Sequence, residues 1–139
     1  MIERDGKLLA CQRRRGGAFE LLWEFPGGKV KPHESLEAAL ARELREELNV
    51  SAEVGAEVYR ARHHYPEMPE AVEVVFFTAK VAAQKIENRV FERLEWRAPE
   101  TLGELEFLAA DRGLIERLVS GTLNGKVSPS HTRSRIPPK

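Results

Sequence analysis

Cysteine is almost absent from this chain: Cys11 stands alone, so no internal disulfide can staple the fold. Its place in the apolar run around Leu8–Ala10 makes it a core residue rather than a nucleophile. Long apolar runs are missing too, as is a basic-apolar leader, so no membrane span or signal peptide is read and a cytoplasmic location is expected. Net charge is also lacking. The 22 basic residues balance 22 acidic ones, and a chain without a basic excess is not expected to bind nucleic-acid polymers broadly. No internal repeat is found, and 139 residues with 42% apolar content suffice for one core and no second domain.

What is present is an acidic cluster. Between Gly28 and Val50, helical spacing puts Leu36, Leu40, Leu44 and Leu48 on one stripe, with Glu43 and Glu47 at its edge and Glu46 beside it. Glu43 repels both Glu46 and Glu47 at these spacings, and only Arg42 with Glu46 offsets that within the helix. Carboxylates crowded at a core boundary suit a hard divalent cation, Mg²⁺ or Mn²⁺, shared with phosphate oxygens. Spacing alone equally describes a solvated, salt-bridged surface helix.

The surrounding residues separate the two readings. Gly28, Glu34, the Arg42-Glu43 pair, Leu44, the Glu46-Glu47 pair and Val50 fall in a pattern that resembles the Nudix box of the Nudix hydrolase family. One fixed position departs: Asn49 stands where the family has Gly. A helix end there needs a left-handed backbone, which Asn tolerates best after Gly. The resemblance implies metal ligation by Glu43, Glu46, Glu47 and the Gly28 carbonyl. Glu34 and Arg42 are then supporting partners, the arginine fork pinning the carboxylate across the loop. The general base is left open between Glu46 and Glu43, with Glu92 as an outside candidate.

The segment Trp23-Glu24-Phe25-Pro26-Gly27-Gly28-Lys29 is similar to the MutT-type subgroup, nucleoside triphosphate pyrophosphohydrolases that clean the nucleotide pool. The resemblance implies an 8-oxo-dGTP, CTP or other dNTP substrate, with Arg13, Arg14 and Lys29 facing phosphates. Arg13–Arg15 reads equally well as a solvated charge run. Phe107–Asp111 resembles the subgroup's loop that places a polar side chain at the base, although Asp111 is equally placed to cap the last helix. Phe76 and Phe77 alternate along a strand, so one is expected at the base and the other in the core; Trp96 is expected in the core. Two other functions stay open: hydrolysis of a dinucleoside polyphosphate or nucleotide sugar, and a non-catalytic nucleotide-binding module.

The fold expected is α/β (α+β), a Nudix-type α/β/α sandwich with a mixed sheet, monomeric or homodimeric. Strands are predicted at Met1–Glu3 and Lys7–Gln12 around an Asp5-Gly6 turn, then at Leu22–Phe25, Ala52–Arg62, Ala71–Ala82 and Arg89–Arg97. The opening strand is shorter than the family's, as if it began upstream. Helices are predicted from an N-cap at Ser35 to Leu48 and from Asp111 to Ser120, closing a domain over 1–121. Residues 122–139, rich in Ser, Pro and Arg, are expected to be a disordered tail.

Overall fold

The structure, a computed structural model, describes residues 1–82 and 84–123; the expected tail from 124 onward lies outside them. Asp5 and Gly6 both take positive φ, 55° and 78°, and turn β1 (Glu3–Arg4) into β2 (Lys7–Gln12) with Arg4 opposite Lys7. Along its other edge β2 pairs with β6 (Arg93–Arg97), from Leu8–Arg97 to Gln12–Arg93. β3 (Trp23–Glu24) pairs with the end of β2, and β4 (Ala52–His63) forms a separate antiparallel ribbon with β5 (Val72–Val81). Two isolated parallel bridges make the arrangement mixed: Ile2 with Ala79 joins the ribbon to the first sheet, and Trp23 with Phe107 extends β3.

Strand periodicity explains the layering. Leu8 and Ala10 point to one face, where they pack with Leu114, Ile115 and Leu118 of α2 (Arg112–Ser120). Leu9 and Cys11 point to the other, against Leu44 and Leu48 of α1 (Leu36–Leu48). A sheet with apolar residues on both faces must be covered on both, and the result is the expected α/β/α sandwich. Phe107, Leu102 and Leu123 complete the α2 side, so core packing extends two residues past Gly121.

Most element boundaries moved by a residue or two, and the last strand moved further. The first strand starts at Glu3 because Met1 bonds to β5, its carbonyl accepting Ala79 N–H at 2.8 Å, while the Ile2 carbonyl accepts Leu9 N–H of β2 at 3.0 Å. The last strand begins at Arg93, not Arg89, because the Asn88 side chain bonds both N–H and C=O of Phe91. Glu87 and Arg89 N–H groups meanwhile satisfy the Leu48 and Glu47 carbonyls at the end of α1, so this segment caps a helix rather than extending a sheet. A 3₁₀ turn, Ala109–Asp111, precedes α2. Trp96 is only partly buried and lies under the Arg4 guanidinium, 5.3 Å from the ring centroid. Among the described residues no helix is long and apolar enough to cross a membrane.

Candidate active site

The carboxylate helix starts and stops where its sequence says. Ser35 Oγ accepts the Ala38 N–H at 3.0 Å, and Asn49 takes φ 56°, ψ 43°, its N–H closing on the Arg45 carbonyl. Leu44 and Leu48 are buried, but Leu36 at the opposite end is 37% exposed. At that end Leu36, Ala39 and Leu40 line a cleft of about 270 Å³.

Arg42 organises the acidic face. Its Nε and Nη2 donate to the two Glu34 oxygens at 2.7 and 3.0 Å, and Nη2 also reaches the Lys29 carbonyl at 2.9 Å. Nη1 contacts Glu43 at 3.1 Å and Glu46 at 3.2 Å. This forked grip, with the Lys31 N–H, holds the Glu34 carboxyl down at about 2, so it stays ionised. The loop from Gly27 to Glu34 is thereby tied to α1.

Glu43 and Glu47 lie directly behind Gly27 and Gly28, which line the cleft. Gly27 N–H donates to Glu47 Oε1 at 3.3 Å, while a Cβ on Gly28 would overlap the Glu43 carboxylate. Burial, and then the Glu43 carboxylate bonded to it, push the Glu47 carboxyl up to about 8. Two abutting, half-buried carboxylates need either a shared proton or a shared cation, and an all-oxygen donor set suits a hard divalent ion. Glu46 stands apart: its side chain is 54% exposed and turned to Arg42. Among the described residues no three acidic, His or Cys side chains are gathered as a ready metal cage.

The far end of the cleft is apolar with buried acids. Phe25 and Phe76 meet edge to face at 6.3 Å, with Val74, Val75 and Phe77 beside them. Phe76 and Phe77 are both buried and both line the cleft, so the expected division between them does not hold. Asp111 also lines it and is only 4% exposed. Its side chain caps no helix N–H but accepts the Phe25 N–H, which sets aside the helix-cap reading. Main-chain bonds between Trp23 and residues Glu106 and Leu108 run this segment alongside β3 and deliver Asp111 to its end. Burial, then the nearby Glu24 charge, push the Asp111 carboxyl up to about 7.

Glu24 was not singled out from the sequence, yet it lines the same cleft. Burial raises its carboxyl and Arg13 partly offsets that through contacts of 3.1 and 3.2 Å. The available signal was an acid alternating within the apolar stretch Leu21–Phe25. Arg13 is thus spent on Glu24, and Arg14 on the Val90 and Arg89 carbonyls at 2.7 and 3.4 Å. Neither lines the cleft, while the exposed Lys29 follows Gly28 at its rim. Glu92 is exposed and accepts the Arg15 N–H at 3.3 Å.

A carboxylate-bearing helix clamped by arginine stands beside an apolar cleft in an α/β/α sandwich, an oxygen-rich donor set next to a ligand-sized pocket. The chain belongs to the Nudix hydrolase family: the NUDIX domain model matches residues 1–118. It is 36% identical over 120 residues to the CTP pyrophosphohydrolase of Escherichia coli, covering 86% of this chain and 87% of that protein. It is 33% identical over 120 residues to the 8-oxo-dGTP diphosphatase of Haemophilus influenzae, covering 86% of each. Among solved structures, the MutT NUDIX hydrolase from Burkholderia pseudomallei superposes with a TM-score of 0.65 at 30% identity, over 84% of this chain and 92% of that one. Nudix hydrolases generally act with divalent metal ions.

Proposed function

We propose that this protein is a Mg²⁺-dependent nucleoside triphosphate pyrophosphohydrolase, active also with Mn²⁺, that converts CTP, 8-oxo-dGTP or a related dNTP to the nucleoside monophosphate and pyrophosphate. The observation that carries the reading is the cleft itself, which joins the Gly27-Gly28 end, backed by Glu43 and Glu47, to an aromatic end holding Asp111. The first end suits a polyphosphate and the second a base.

Glu43, Glu46, Glu47 and the Gly28 carbonyl would hold the metal, which supplies charge neutralisation on the non-bridging oxygens and a more acidic water. Water adds at phosphorus as the phosphoanhydride bond breaks, and its proton passes to Glu46 or Glu43. Arg42 keeps these carboxylates and the Gly27–Glu34 loop in register, and Glu34 holds Arg42. Lys29 at the rim meets phosphate oxygens; Arg13 and Arg14 reach them only by releasing their present acceptors. At the other end Phe76 packs against the base, and Asp111 bonds to its edge. A pool-cleaning role fits such an activity.

A nucleotide panel assayed separately for pyrophosphate and phosphate release tests this. Pyrophosphate release from CTP or 8-oxo-dGTP with Mg²⁺ is expected. Intact triphosphates alongside a cleaved dinucleoside polyphosphate or nucleotide sugar would refute it. Glu47→Gln should lower turnover by orders of magnitude with the thermal transition retained; near-normal turnover sinks the ligand assignment. An inert wild-type protein that still binds nucleotide would make the fold a binding module.

A further inference from the structure

Tyr65 lies in the turn between β4 and β5, where nothing in the chain's path requires burial, yet only 8% of it is exposed. Its ring packs on Phe19 from the β2–β3 loop, centroids 4.8 Å apart, and on His63 at the end of β4, 4.5 Å away. Its hydroxyl accepts the Ala110 N–H at 2.9 Å inside the protein. Ala110 belongs to the 3₁₀ turn that leads into α2, and N–H groups at a helix start have no partner within the helix. Tyr65 supplies that partner, and the next residue along the chain is Asp111.

The ring is also linked to a second acid of the cleft, the partly buried Glu24. Phe19 carries the Arg13 guanidinium over its face at 5.9 Å, and Arg13 in turn grips Glu24. Tyr65 therefore holds the peptide before Asp111 directly and reaches Arg13, the partner of Glu24, through Phe19, while lining no part of the cleft itself.

We infer that Tyr65 is a positioning residue for nucleobase selection: by holding the Ala110 peptide it sets where the Asp111 carboxylate stands in the cleft. This rests on the reading of the aromatic end as the base site. A side chain that only stabilised the fold would lower turnover of every nucleotide alike. A residue that sets Asp111 instead changes the preference between nucleotides, since the acid's bond to the base edge depends on its position.

The test compares kcat/KM for CTP and 8-oxo-dGTP in wild type, Tyr65→Phe, Asp111→Asn and the double variant, with thermal unfolding of each. Tyr65→Phe keeps the ring and deletes the hydroxyl; the ratio of the two kcat/KM values should change by about fivefold or more, with the larger effect on KM. In the double variant the ratio should match that of Asp111→Asn alone, because the hydroxyl acts only through Asp111. A ratio within about twofold of wild type in Tyr65→Phe, while Asp111→Asn shifts it, overturns the proposal and leaves the base site standing. If Asp111→Asn leaves the ratio unmoved, the base-site reading fails and the proposal with it. Should Tyr65→Phe not fold, Ala110→Pro, which deletes the donor at a position early in a helical turn, carries the same expectation and the same refutation.

Discussion

An alanine at position 28 separates the geometry of the carboxylate site from the stability of the fold. The new Cβ would overlap the carboxyl carbon and both oxygens of Glu43, so that carboxylate must swing away. The obstacle is the far end of a flexible side chain, and Gly28 itself has no left-handed backbone, so the fold loses little. The terms are a partly exposed Arg42–Glu43 contact worth at most about 1 kcal/mol and a rotamer change of about 0.5–1.5 kcal/mol. Reduced freedom of the unfolded chain returns about 0.4–1 kcal/mol, leaving a net loss near 1 kcal/mol and a Tm shift of roughly 5 °C or less. Activity responds differently, because displacing a positioned group by about an ångström lowers turnover on the order of a hundredfold. Gly27→Ala is the contrasting control: its Cβ meets only Leu40 at 3.5 Å, but φ is +152°, a strained value for any side chain. It should destabilise by about 1–3 kcal/mol. Thermal melts and pyrophosphate release at saturating nucleotide read both variants. Gly28→Ala with kcat within about threefold of wild type would refute the argument that Glu43 must stand where it does.

Arg42→Lys keeps the charge but loses the fork that spans Glu34, Glu43, Glu46 and the Lys29 carbonyl; a tenfold or greater fall in kcat is expected, on the order of 1.4 kcal/mol or more, and unchanged kcat would show that the clamp is dispensable. Burial pushes the Asp111 carboxyl up to about 7 from the ordinary aspartate value near 4, so the folded state binds the proton more tightly and its contribution to stability is full below about 4 and lost as pH rises through 7. Asp111→Asn should therefore gain stability relative to wild type between about pH 4 and 7 by up to a few kcal/mol, and denaturant melts showing a pH-independent difference would refute this. Asn49→Ala places a Cβ residue without a compensating side-chain bond in a left-handed position and deletes the 3.0 Å contact to Glu87; about 1 kcal/mol of destabilisation is expected by the same melts, and no change would remove the capping argument.

What the sequence makes legible is what lies within a few residues along the chain. Ser35, Asn49 and the Leu44–Leu48 spacing define α1 by local rules of capping and periodicity, and the structure keeps both ends. The Asp5-Gly6 turn is equally local. Where expectations shifted, a distant partner decided. The predicted strand from Arg89 loses four residues because Glu87 and Arg89 serve carbonyls of α1, and Leu36 leaves the core because it lines the cleft. No spacing rule contains either fact.

The same distinction divides the candidate site. Its carboxylate end is one helix plus the loop before it, within Gly28–Val50, so a single motif reports nearly all of it. Its aromatic end is assembled from β3, β5 and the turn before α2, with Glu24 and Asp111 separated by most of the chain. Only the fold reveals that Asp111 spends its carboxylate on Phe25 N–H rather than on α2, and that Arg13, which the sequence offers to phosphate, neutralises Glu24 instead. An ionised acid in an apolar wall would be expensive, so Glu24 needs Arg13 and Asp111 leans toward its protonated form. On the proposed reading, the bond-breaking end is therefore the part that residue types alone report, whereas base choice would depend on how distant supports such as Arg13 and Tyr65 hold two acids in place.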